Sequence, residues 1–134
     1  MKSIFKIGDQ QNYELIVGIN DTATFYSGNV HPVYATFALG RDAEWCCRLF
    51  VIAMKDADEE GIGTFIHVEH VSPAMVNDTV NFVAEIVKME GHEIICSFEA
   101  KVGDRLIAKG QTGQKILKKE KLENLFSRLS EPKA

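Results

Sequence analysis

Glu44 is the residue that fits least well with a purely structural role, because it stands between Ala43 and Trp45 in a stretch otherwise rich in apolar side chains. A carboxylate there either reaches water or is costly to bury, and buried carboxylates with shifted pKa values cluster at active sites. Its natural partner is His70. Ile62, Thr64, Ile66 and Val68 alternate onto one face of a predicted strand and His70 continues that face, so the imidazole is expected to come off the strand towards the helix carrying Glu44. A carboxylate and an imidazole meeting on a sheet–helix seam make an acid/base or nucleophile/base pair. The plainer alternatives are a structural hydrogen bond or a solvent-exposed Glu44.

Other reactive side chains are less suitably placed. His67 and His70 lie three apart on a strand and point to opposite faces, so they cannot chelate one ion. His92 and Cys96 share a face but stand roughly 13 Å apart at about 3.3 Å per residue. With no CxxC pair either, no metal site is expected. Cys46 and Cys47 fall on a predicted core helix, where cysteine acts as a small apolar residue and no local base activates it. The glycines of GIG (61–63) and GQTG (110–113) precede no helix and are too sparse to cradle a phosphate.

Hydrophobic periodicity supplies the elements that must position Glu44 and His70. Tyr13 to Gly18 reads as a first strand, followed by an irregular segment. From Thr36 to about Met54, apolar residues recur at spacings of three and four, which predicts one long helix with Thr36 as its N-cap. Residues 55–60 form a polar connection, and 61–71 a strand stopped by Ser72-Pro73. Val80, Phe82, Ala84 and Ile86 alternate, as do Ile94, Cys96, Phe98, Ala100 and Val102, and a third strand runs from Arg105 to Leu117. Turns at Glu90-Gly91 and Gly103-Asp104 join these three into a meander. Leu122, Leu125, Phe126 and Leu129 mark an amphipathic terminal helix over about 118–130. A helix apolar over most of its circumference must be covered on several sides, and an antiparallel sheet curled around it does so. The expected fold is α+β of the hot-dog type, one domain with its core over about 13–117.

The composition agrees with a packed domain. The chain has 134 residues, 46% apolar and 25% charged, with a net charge of −4, which excludes a disordered chain. No apolar run approaches ~18 residues, so no membrane partner is expected. The first residues lack the apolar core of a secretion signal, and three cysteines, two of them adjacent, fit a reduced cytoplasmic setting. The acidic balance disfavours nucleic acid, and Lys115, Lys118, Lys119 and Lys121 read as a solvated face.

Three residue types at two fixed spacings carry a family resemblance. VYAT (33–36) opens the helix, Glu44 follows Thr36 by eight residues, and GTFIHVEH ends at His70, 26 residues after Glu44. This pattern resembles the fluoroacetyl-CoA thioesterase family of hot-dog proteins, over about residues 13–117. The resemblance implies a catalytic set of Thr36, Glu44 and His70, and a thioester carbonyl oxygen directed at the Gly63 N–H. It further implies an acyl-CoA substrate, with coenzyme A as part of the substrate and no separate cofactor, and a homodimer or dimer of dimers. Phe37, beside Thr36, is expected to bound the substrate's space together with Trp45. The family's aromatic lid positions fall on Ser27 and Val30, with Phe25 and Tyr26 nearby, and its arginine on the last strand falls near Gln114 or Lys115, making Lys115 a candidate substrate contact. The main alternative is a non-catalytic acyl-CoA or small-ligand binding module on the same fold.

Overall fold

A computed structural model describes residues 1–25 and 28–132, without the side chains of 24–31. The chain runs β1 (Gln10–Ile16), β2 (Thr22–Phe25), β3 (Gly28–Tyr34), α1 (Thr36–Met54), β4 (Glu59–His70), β5 (Thr79–Glu90), β6 (Glu93–Val102), β7 (Arg105–Lys118) and α2 (Lys119–Ser130). Five strands form an antiparallel sheet in the order β1-β5-β6-β7-β4. Its concave face wraps α1, whose 19 residues make a rod about 28 Å long. Ala38, Leu39, Ala43, Cys46, Cys47, Phe50 and Met54 of α1 are buried against Val80, Phe82, Ala84 and Ile86 of β5 and Ile94, Cys96, Phe98 and Ala100 of β6. The expected meander is present, with turns at Gly91-His92 and Gly103-Asp104 whose glycines take positive φ of 61° and 58°.

Four details differ from the sequence reading. The segment expected to be irregular contains a two-stranded sheet, β2 on β3. β4 starts at Glu59, which is buried rather than part of a polar connection, its carboxylate accepting the Asp56 N–H at 2.8 Å. On α2 only Leu122 is buried, while Phe126 and Leu129 are exposed, so this helix seals little of the core.

The fourth difference reaches the site. β4 pairs with β7 as Gly63↔Gln114 and then Phe65↔Gly113, so Thr64 is an extra, bulged residue. A bulge sets two successive residues on the same face. A Cβ on Gly113 would meet Phe65 Cε1 at 2.3 Å and Thr64 Oγ1 at 2.6 Å, so both lie on the outer face. Gly61 and Gly63 face α1 before the bulge, and Ile66, Val68 and His70 face it afterwards. Ile62 and Thr64 therefore do not share the face of Ile66, Val68 and His70. Among the described residues, no helix is long and apolar enough to cross a membrane.

Gly110 keeps β4 and β7 in contact, since an added Cβ would stand 1.9 Å from the His67 carbonyl oxygen. Gly110→Ala must push backbone away from backbone, and it is expected to destabilise the fold by about 2 kcal/mol or more, read from chemical denaturation.

Candidate active site

The entrance of α1 is pinned from three directions. The Tyr34 N–H donates to the Ala74 carbonyl (2.8 Å), the Ala35 N–H to the Asp21 carbonyl (2.8 Å), and the Leu39 N–H to the Ala35 carbonyl (2.9 Å). Ala35 is the N-cap, in extended conformation, and makes no side-chain cap. Thr36 is already helical, so it is not the expected N-cap. Its hydroxyl instead lies 2.9 Å from His70 Nδ1.

His70 is half-buried, and its Nε2 is shielded from water without a hydrogen-bond partner among the described residues. Burial holds the imidazole pKa below its ordinary 6.5, only partly opposed by the Ser72 backbone. The neutral ring, able to accept a proton, is therefore the favoured form near pH 7. His67 is exposed on the opposite face.

Glu44 is half-buried one helical stretch further along. A Cβ on Gly63 would stand 3.5 Å from each of its carboxylate oxygens, so the carboxylate lies directly over this position of β4. Among the described residues the carboxylate has no hydrogen bond or ion pair.

Thr36, Glu44 and His70 line one open cavity of about 1080 Å³. Its remaining walls are largely apolar and include Ala23, Val33, Phe37, Ile66 and Val68, with Arg41 at the rim. Gly40 of α1 also lines the cavity, packed near Ile66 and Val68 of β4. Phe37 is 61% exposed on the cavity wall. Trp45 borders a separate groove with Tyr13, Arg41, Asp42, Glu44 and Arg48. Lys115 is exposed on β7, opposite Ile62 and Glu93, and is not on the cavity wall. The proposed lid positions Ser27 and Val30, with Phe25 and Tyr26, lie outside the residues whose side chains are described.

A polar network at the helix entrance was not foreseen. Asp42, 5% exposed, accepts the Tyr34 hydroxyl and two bonds of 3.0 Å from Arg41, which also reaches Asp21 at 2.9 Å. Burial and the Asp42 charge push the Tyr34 phenol well above its usual range, so it stays protonated as a donor. The available signal was an aspartate at an inward position of an otherwise apolar helix face.

All three cysteines are free and buried. Burial drives the Cys46 thiol up to about 12, far from a reactive thiolate. Among the described residues, no three His, Cys, Asp or Glu are grouped to hold a metal ion.

The family model of the fluoroacetyl-CoA-specific thioesterase, FlK, matches residues 17–120. The chain belongs to this family. Its members are thioesterases, hydrolases of coenzyme A thioesters. Among solved structures, a Thermus thermophilus hypothetical protein described as a thioesterase superfamily member is 35% identical, with 92% of each chain covered and a TM-score of 0.89. The structure of FlK itself is 23% identical over 96% of this chain and 98% of its own, with a TM-score of 0.85. A hot-dog-like protein from Thermanaerovibrio acidaminovorans is 18% identical over 96% of each chain, with a TM-score of 0.88. No functionally curated protein matches the sequence. These likenesses establish the hot-dog thioesterase fold.

The depressed pKa of His70 carries a sign that can be measured. The unfolded chain binds the His70 proton more readily than the folded one, so this contribution to stability is complete above pH 6.5 and is lost as pH falls towards the folded pKa. An NMR titration is expected to give His70 a pKa below 6.5, and His70→Gln should flatten the corresponding part of the stability–pH curve.

Proposed function

We propose that the protein hydrolyses a small acyl-CoA thioester with Thr36, Glu44 and His70 as its catalytic set. The observation that carries this reading is that the Thr36 hydroxyl lies against His70 Nδ1 at one end of the cavity wall and the Glu44 carboxylate over Gly63 at the other, two reactive pairs of the same set. A solved variant of FlK in complex with acetyl-CoA supports a short acyl group. Coenzyme A enters as part of the substrate.

In the reaction, a water oxygen bonds to the thioester carbonyl carbon, the C–S bond breaks, and the thiolate takes up a proton to leave as the free thiol. Glu44 serves as the base for that water, or as a nucleophile whose acyl adduct water then cleaves. His70, neutral and oriented by Thr36, moves the proton. The Gly63 N–H faces the developing oxyanion, a role typically worth about 3 kcal/mol. Phe37 shapes the acyl end of the site.

We further propose a homodimer, with each site built from two chains. Thr36 and Glu44 are eight residues apart on α1, roughly 12 Å along its axis, and no bond joins Glu44 to His70 or Thr36. One carbonyl carbon therefore has difficulty reaching both ends within one protomer. β4 is an edge strand whose Phe65 and Ile66 are 41% and 44% exposed. An edge of that kind favours pairing with a second copy. Antiparallel pairing would set the Glu44–Gly63 end of one chain beside the Thr36–His70 end of the other. The buried free thiols suit a reducing compartment, and we place the protein in the cytoplasm.

Glu44→Gln keeps the shape and removes the charge and the proton acceptor. Turnover of acetyl- to hexanoyl-CoA, followed by thiol release, is expected to fall at least ~100-fold while the thermal melt is retained. Full activity in this variant would remove the assignment, and CoA binding without turnover by the unmodified protein would mark a binding module instead. Light scattering at micromolar concentration is expected to give a dimer or larger. Mixing inactive Glu44→Gln with inactive His70→Ala chains should restore up to about a quarter of the activity through heterodimers carrying one intact site. No recovery, with exchange of subunits verified, places each site within one chain.

A further inference from the structure

Beneath Glu44, outside the cavity, lies a buried group to which the proposed mechanism gives no part. Gln114 stands on the helix-facing side of β7, directly opposite Gly63 of β4, and is only 2% exposed. Its Nε2 donates a long bond of 3.4 Å to the Glu44 carbonyl oxygen. Its Oε1 is buried with no hydrogen-bond partner among the described residues. Such an orphan is costly and rare enough to require a reason.

The Glu44 side chain reaches the position of β4 that pairs with Gln114. Directly opposed inward positions on neighbouring strands have their Cβ atoms about 5 Å apart. The Glu44 carboxylate sits 3.5 Å from where the Gly63 Cβ would be, so it shares one patch of the seam with Gln114. A carboxamide oxygen only accepts hydrogen bonds. It has nothing to offer a carboxylate, but it matches the O–H of a carboxylic acid.

We infer that Gln114 is a positioning residue that holds the Glu44 turn against β7 and keeps an acceptor ready for the Glu44 carboxyl once that group has taken up a proton. This rests on the reading of Glu44 as the group that acts on the thioester. As water adds to the carbonyl carbon, its proton passes to Glu44. The carboxyl then has an O–H to donate, and the orphaned oxygen of Gln114 gains its missing donor at that stage. When the C–S bond breaks, the proton goes on by way of His70 to the thiolate. An interaction absent before proton transfer and present after it acts on kcat rather than on KM.

The other groups around Glu44 are named readily. Arg41, Arg48, Asp42 and Tyr13 border it in the outer groove, Cys47 lies behind it, and His70 lines the same cavity. Both arginines are engaged by other acids, Arg41 by Asp21 and Asp42 and Arg48 by Glu60.

The test compares Gln114→Met, Gln114→Asn and Gln114→Glu with Glu44→Gln in the thiol-release assay across pH. Methionine keeps the length without the amide, and asparagine keeps an amide but withdraws it from Glu44. In both, kcat is expected to fall about tenfold with KM nearly unchanged, and the acid limb of kcat/KM to move to lower pH. Gln114→Glu sets a second carboxylate beside the first and should move that limb to higher pH. Wild-type kcat and an unmoved limb in the methionine and asparagine variants, whatever their melting temperatures, would overturn the inference while Glu44→Gln remains inactive. Full activity in Glu44→Gln is the separate outcome in which the reading of Glu44 itself fails.

Discussion

The close seat of α1 on β4 is the constraint from which the rest of the site follows. At Gly61 a Cβ would stand 2.4 Å from Val51 Cγ1, and at Gly63 it would meet both oxygens of Glu44 at 3.5 Å. Two glycines at alternate positions of one strand thus let a helix lie nearly on the backbone of the sheet. In the sequence, GIG is too sparse to cradle a phosphate, and Gly63 stands out only through the family resemblance. The use of this motif is steric. The absent side chain at Gly61 lets the helix approach the strand, and the bare backbone at Gly63 lies directly beside the Glu44 carboxylate.

The same seam explains how an imidazole arrives opposite the helix entrance. Strict alternation along β4 from Gly63 would turn His70 away from α1, because the two lie seven positions apart. The bulged Thr64 adds one residue to the count and restores the inward direction. Sequence reading reached the correct face for His70 by starting the alternation at Ile62, and the two errors cancel: Ile62 is outward, and the bulge shifts the parity between them. The extra residue also interrupts pairing immediately after Gly63, where an unpaired backbone is most useful.

The polar groups along the seam divide into two kinds. Tyr34, Arg41, Asp42 and Asp21 satisfy one another and lock the entry of the helix, so burial of the Asp42 charge is compensated in place. Among the described residues, His70 Nε2 and Gln114 Oε1 are left buried without hydrogen-bond partners. His70 lines the cavity and Gln114 lies under the Glu44 turn, while the fully paired network supports the scaffold beside them. Rigidity at the entrance and unspent hydrogen-bonding capacity at the site are complementary features of one helix–sheet contact.

Much of the architecture was legible without coordinates, since alternation of period two and helical spacing of three and four are local properties of the chain. The limits of α1, the meander of β5, β6 and β7, and the inward faces of β5 and β6 follow from them. So does the spacing of Thr36, Glu44 and His70 that carried the family resemblance. Other features depend on contacts between distant segments. The Thr36 hydroxyl passes over a capping role because His70, 34 residues away, offers it a partner. β2 and β3 lack a strong alternating signal and acquire strand structure by pairing with each other. Lys115, adjacent in sequence to Gln114, points to solvent while Gln114 lies buried under Glu44, a difference of one residue in strand parity. Composition and periodicity determined which elements form and which faces they bury. Only the tertiary structure decided which side chains meet, because one bulge and a few glycines set the register and distance at which the helix and sheet come together.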